Sequence, residues 1–176
     1  MNVVRFLRWL GQRNWPVHLY AHPEHVMFKH AQQESIAVRP IRINSRRGSL
    51  AAAWQLRQQI RRDRLKALTV HQSSDLPVAV LARQLAGRSF NIIFSQHMHL
   101  ADKRDPLHTW QFNQLAAWAT PVQWLADRVL EKTRIDPAKV RVVPRGIELD
   151  RFTNRRPPRN RAREKLELPS DAYIAG

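Results

Sequence analysis

Apolar positions along this chain follow two rhythms in turn, one with a helical period of about 3.6 and one with a strand period of about 2. Residues 2–10 place Val3, Phe6, Leu7 and Leu10 on one helical face with Arg5 and Arg8 off it, and Gly11 and Asn14-Trp15-Pro16 end that helix. A short buried strand is expected over 17–20, a helix over 24–33 and a second strand over 38–43. Ser45-Arg46-Arg47-Gly48-Ser49 makes a basic loop, and Ser49 is placed to cap the next helix. There Leu50, Ala53, Trp54 and Ile60 form the apolar stripe, while Arg57, Arg61 and Arg62 face outward.

The pattern then repeats with shorter connections. A third strand is expected over 68–71 and a polar exit loop over 72–75; Asp75, as cap, and Pro77 open a helix that runs to Leu85 and closes at Gly87. A fourth strand covers 91–95, followed by a long loop over 96–106 rich in histidine and basic residues. A helix over 107–117, a strand over 119–122, a helix over 126–133, a turn at Asp136-Pro137 and a sixth strand from Val140 complete the series. Strands that alternate with helices predict an α/β, Rossmann-like fold with a mostly parallel sheet and helices on both faces. Ligands in such sheets sit at the carboxyl ends of the strands, here the loops after Val70, Ser95, Val122 and Val143.

At 176 residues the chain holds one domain of ordinary size with a real core, and 43% apolar against 25% charged residues is a globular composition. Lys and Arg number 30 against 14 Asp and Glu, a net charge of +16 that favours anionic partners: lipid headgroups, nucleic acid or phosphorylated substrates. The absence of cysteine excludes disulfides, thiolate metal sites and cysteine nucleophiles. The N-terminal apolar run contains Arg5 and Arg8 and is followed by no cleavage-like site, and the longest apolar stretch elsewhere, residues 76–82, is far short of a bilayer span. The expected location is the cytoplasm, with peripheral contact at the inner face of the membrane left open.

One segment changes the picture. Val140-Arg141-Val142-Val143-Pro144-Arg145-Gly146-Ile147-Glu148, running on to Phe152, is a β-branched strand that stops at a proline, with a glycine where the chain turns sharply. It resembles the segment that closes the N-terminal domain of family 4 glycosyltransferases of the GT-B fold. The resemblance extends over most of the chain. Residues 62–71 followed by Ser73-Ser74-Asp75-Leu76-Pro77 resemble a family strand and loop, Asn91 to His99 resemble the next strand running into an active-site histidine, and Arg163-Glu164-Lys165-Leu166 resembles the helix that opens a second domain.

The resemblance implies a glycosyltransferase N-terminal domain over 1–152, followed by a basic linker and the beginning of a truncated second domain over 153–176. It implies transfer of a sugar from a nucleotide-sugar to a glycan, lipid or cell-envelope acceptor with retention, this half binding the acceptor, with no further cofactor. His97 is the catalytic candidate, because an imidazole can donate or accept a hydrogen bond at the acceptor hydroxyl near neutral pH. His99 lies in alternative register with it. His71, Ser73 and Ser74 would line an acceptor pocket, although a helix cap explains Ser74 and Asp75 as well. Lys103, Arg104 and Arg145 could hold a phosphate or an anionic acceptor, and Pro144 and Gly146 would shape the hinge. Asp102 and Asp105, set among cations, give no reason to expect a metal. Of six tryptophans, Trp54 fits the core stripe, and Trp15 and Trp110, beside turns, are the interface candidates.

Two parts of the family pattern are missing: a first strand with its glycine-rich loop, central in such a sheet, and the donor-binding domain, which would have to act in cis or trans. The expectation is therefore a chain inactive by itself, since transfer needs donor and acceptor held together. A basic non-catalytic module for nucleic acid or an anionic surface, or an inactive remnant, is the alternative; for nucleic acid the support is charge alone, with no binding motif.

Overall fold

The computed structural model describes residues 3–42, 49–88, 90–98, 100–146 and 158–173. The chain divides into two compact units, residues 1–145 and 146–176. The division falls at Gly146, ahead of the boundary after Phe152 set from the motif; Phe152, and Ile174 to Gly176 of the strand expected at the end, lie outside the described residues.

The first unit runs α1 (Val3–Gly11), β1 (Leu19–Ala21), α2 (Val26–Gln33), β2 (Val38–Pro40), α3 (Leu50–Arg62), β3 (Ala67–Val70), α4 (Leu76–Leu85), β4 (Asn91–Ser95), α5 (Pro106–Asn113), β5 (Ala117–Thr120), α6 (Gln123–Lys132) and β6 (Val140–Val142). The second unit contains α7 (Arg159–Lys165). Every described strand pairing is parallel, but the strands form two sheets, β1-β2 and β3-β4-β5-β6. Among the described residues β1 pairs with β2 alone and β3 with β4 alone.

Side-chain alternation places the helices. Leu19 of β1 packs with Val4 of α1 and Ala31 of α2, whereas Tyr20 turns the other way, toward the larger core that includes Ala53, Leu56 and Ile60 of α3. α2 and α3 therefore lie on opposite faces, which right-handed crossovers require when the chain reverses its direction across a sheet. That reversal comes at β3, so the carboxyl end of β3 borders the topological switch point. Farther along, the register aligns Val70, Phe94, Trp118 and Val140 in one row across four strands. α3, α4, Phe112 of α5 and Val129 of α6 pack on that row, while the opposite row, Thr69, Ile93 and Ala117, is half-buried to exposed.

Several elements follow the sequence closely. Ser49 caps α3, its Oγ accepting from the Ala52 amide at 3.3 Å, and Gly87, at φ 64°, closes α4. Two helical faces differ from expectation. On α1, Val3, Val4 and Leu7 face the core and Phe6 points outward onto Trp9. On α3, the buried stripe is Ala52, Ala53, Leu56 and Ile60, while Leu50 and Trp54 are exposed. Arg57, expected outside, donates from Nε to the Leu85 carbonyl at the end of α4 at 2.9 Å, with its guanidinium 4.5 Å from the Trp54 ring. The core tryptophan is Trp118, whose ring meets Phe94 and Phe112 edge-on at 4.9 and 4.8 Å.

Candidate functional site

His71 stands one residue past β3, His97 two past β4, and Arg145 just beyond β6. The β6 ladder extends by one bond, Val143 N–H to the Thr120 carbonyl at 2.7 Å, which carries Arg145 to the same carboxyl edge. The three side chains meet there. The His71 and His97 rings stack with centroids 5.8 Å apart and planes 9° from parallel. Nη2 of Arg145 lies 3.2 Å from Nδ1 of His97, and Nε2 of His97 lies 3.2 Å from Oγ of Ser95.

The chemistry of the partners assigns the protons. A guanidinium only donates, so Nδ1 of His97 must accept from Arg145; the ring proton then sits on Nε2 and donates to Ser95. Partial burial and the Arg145 charge both lower the pKa of His97. Burial, and secondarily the neighbouring imidazole, lowers that of His71 from 6.5 to about 4. Both rings are thus neutral at physiological pH, and His71 keeps a buried Nδ1 that has no hydrogen-bond partner among the described residues. What the cluster offers is an uncharged N–H of fixed tautomer beside a guanidinium, a pairing suited to a hydroxyl next to an anionic group.

Two residues not singled out in the sequence hold this geometry. Ser95 takes the His97 proton. Gln96, 4% exposed, accepts from Trp118 Nε1 at 2.8 Å and donates to the Met98 carbonyl at 2.7 Å, so it ties the turn carrying His97 to the core. Its signal was present in the strand alternation, because Ile92, Phe94 and Gln96 face inward in sequence and His97 follows on the open side.

The other predicted residues are placed elsewhere. Ser73 and Ser74 lie exposed in a 3-10 turn (Ser73–Asp75) after β3. Asp75 occupies the N-cap position of α4 but makes no capping bond; it accepts from Ser74 Oγ at 3.3 Å instead, and burial raises its pKa despite that bond. Lys103 bonds through its N–H to the Lys132 carbonyl, and Arg104 donates to the Glu131 carbonyl. Both sit at the end of α6 that leads toward the start of β6, away from the carboxyl edge. Asp105 caps α5, accepting from the His108 amide at 3.1 Å and pairing with His108 Nδ1. His99 lies outside the described residues. Pro144 and Gly146 are exposed; Gly146 has no left-handed φ, and no atom of the described residues lies within 4 Å of an added Cβ.

The model of the family Glycosyltransferase Family 4 matches residues 2–151. Among solved structures, a glycosyltransferase from Rickettsia africae is similar with a TM-score of 0.81 at 15% identity, over 97% of this chain and 46% of the other. HepE of Anabaena, solved with UDP and glucose, is similar with a TM-score of 0.70 at 12% identity, over 94% of this chain and 45% of the other. At such identity the likeness is one of fold, and the chain spans less than half the length of either relative. Comparison with curated proteins gave no match.

Proposed function

The chain belongs to glycosyltransferase family 4, and from that premise we propose that residues 1–145 act as the acceptor-binding half of a retaining transferase of hexose type. The observation that carries the reading is the gathering of His71, His97, Ser95 and Arg145 at the carboxyl edge of one parallel sheet, next to the switch point. A nucleotide-sugar would be held by a second domain supplied in cis or trans. That HepE, similar in fold, was solved with UDP and glucose is compatible with that donor class.

In this reading an acceptor hydroxyl displaces Ser95 as the partner of His97 Nε2–H. Burial, with Arg145, keeps the imidazole uncharged, and Arg145 occupies its Nδ1, so His97 orients the hydroxyl by donating to its oxygen rather than acting as a strong base. The guanidinium beside it favours acceptors with a phosphate or carboxylate near the reacting hydroxyl, as in lipid-linked or cell-envelope glycans. Transfer needs donor and acceptor held together, so the reading is tested with both halves present.

The test is transfer by a protein completed with a donor-binding domain. His97→Ala should lower kcat on the order of 100-fold, with Arg145→Ala acting in the same direction. Transfer that proceeds unchanged in the His97 variant would remove the cluster from the mechanism.

A further inference from the structure

The outward face of α1 carries two exposed aromatic rings that stack on each other. Its apolar inner stripe, Val3, Val4 and Leu7, is spent on β1 and α2, yet Phe6 and Trp9 remain 38% and 47% exposed and stack on each other with centroids 6.1 Å apart. Trp15, immediately beyond the helix, is 64% exposed. Its position is set by the helix end: Asn14 takes a left-handed φ of 61°, and the Trp15 amide donates back to the Leu10 carbonyl at 3.1 Å. Cations border these rings. Arg5 and Arg13 are exposed, and the Arg13 guanidinium lies 3.9 Å from the Trp9 ring centre.

We propose that this face of α1, with Trp15, docks on the surface of an anionic phospholipid bilayer. The warrant is the combination. A helix that already has a core face, and still shows tryptophan and phenylalanine edged by arginine, fits the boundary between headgroups and acyl chains, where ring bodies enter the apolar layer and guanidinium groups meet phosphates. The net charge of +16 supplies attraction of the right sign. A nucleic acid is the weaker match, because Arg13 already covers a face of the Trp9 ring that a stacking base would need. The helix is too short to span a bilayer, and no described helix is long and apolar enough to do so. The inference stands apart from the acceptor cluster, so either can fail while the other holds.

The test is co-sedimentation of the 176-residue chain with vesicles of phosphatidylcholine alone and of phosphatidylcholine mixed with phosphatidylglycerol. Binding is expected to the mixed vesicles. Phe6→Ser with Trp9→Ser should weaken it roughly tenfold or more, while Trp54→Ser, at the exposed tryptophan of α3, should leave it unchanged. Trp9→Phe, which keeps an aromatic ring, guards against a variant that fails to fold: it should remove part of the fluorescence quenching caused by brominated lipid in the mixed vesicles. Equal binding to both vesicle types, undiminished binding by the double variant, or quenching indifferent to Trp9→Phe would each overturn the proposal. So would a duplex DNA competitor whose binding depended on the same two rings.

Discussion

Among the described residues β1 and β3 each begin a separate parallel ladder, and different forces secure the two. Behind β3 the row Val70, Phe94, Trp118 and Val140 runs without a break into α3–α6, and Trp118 is 0% exposed with an aromatic ring on either side. Behind β1 the buried apolar residues are Val4, Leu19 and Ala31, a cluster with little area to remove from water. The β1–β2 ladder is joined to α3 by Tyr20 and Ile41 packing on the larger core, by Gln59 Nε2 donating to the Pro40 carbonyl at 3.0 Å, and by one buried carboxylate. Asp63, at the end of α3, accepts from Tyr20 Oη at 2.8 Å and from Arg39 Nε and Nη2 at 3.3 Å each, with His18 Nδ1 at 3.8 Å. Its side chain is 6% exposed; burial works to raise its pKa, and the bonds from Arg39 and Tyr20 outweigh that and lower it. Apolar packing spreads stability over many residues, whereas a buried polar junction concentrates it in one.

The sharpest way to break the comparison is at each anchor. Trp118→Ala should cost about 4 kcal/mol and lower the unfolding midpoint of the whole first unit, since the cavity opens in the shared core. Asp63→Ala should cost about 2 kcal/mol, leaving Tyr20 Oη without an acceptor, and its effect should be local. Hydrogen exchange should accelerate in residues 19–21 and 38–40 more than in 91–95; uniform acceleration would show that the two ladders are not secured separately.

Acid should act on the site from the other side of the same contrast. His71 binds a proton less readily folded than unfolded, its pKa falling from 6.5 to about 4. The stability attached to its neutral form is present above the unfolded value and is lost as pH drops from 6.5 toward 4. Allowing for partial exposure the loss is on the order of 2 kcal/mol, and His71→Gln should flatten that part of a melting profile measured against pH. The smallest effect is expected at Arg64, between Asp63 and β3, which holds a left-handed φ of 51° at a helix end. Arg64→Gly should raise stability by about 1 kcal/mol, because glycine occupies that region without strain. A drop instead would mean that the arginine contributes contacts outweighing its backbone.

Much of the architecture could be read in advance because it depends on neighbours in sequence. The alternation of strands and helices, the Ser49 cap, the Gly87 stop and the carboxyl-end position of His71 and His97 all follow from spacing and local backbone chemistry. The chosen faces of α1 and α3 were less legible. Both helices carry apolar side chains around much of their circumference, so periodicity admits more than one stripe, and the partner surface selects between them. Trp54 and Trp118 show the same limit: the two tryptophans look alike in sequence, and only the register that sets Trp118 beside Phe94 buries one of them.

The sequence by itself therefore determined the order of elements, the parallel character of the strand pairing, the family, and the sheet edge at which His71 and His97 lie, since each rests on short-range pattern. Tertiary structure decided which residues share that edge. Arg145 meets His97 across 48 positions of chain, Gln96 steadies their turn through Trp118, and Lys103 and Arg104, close to His97 in sequence, are drawn off to the end of α6. Strand pairing brings distant residues within hydrogen-bond reach and carries near ones apart, and no local rhythm encodes that.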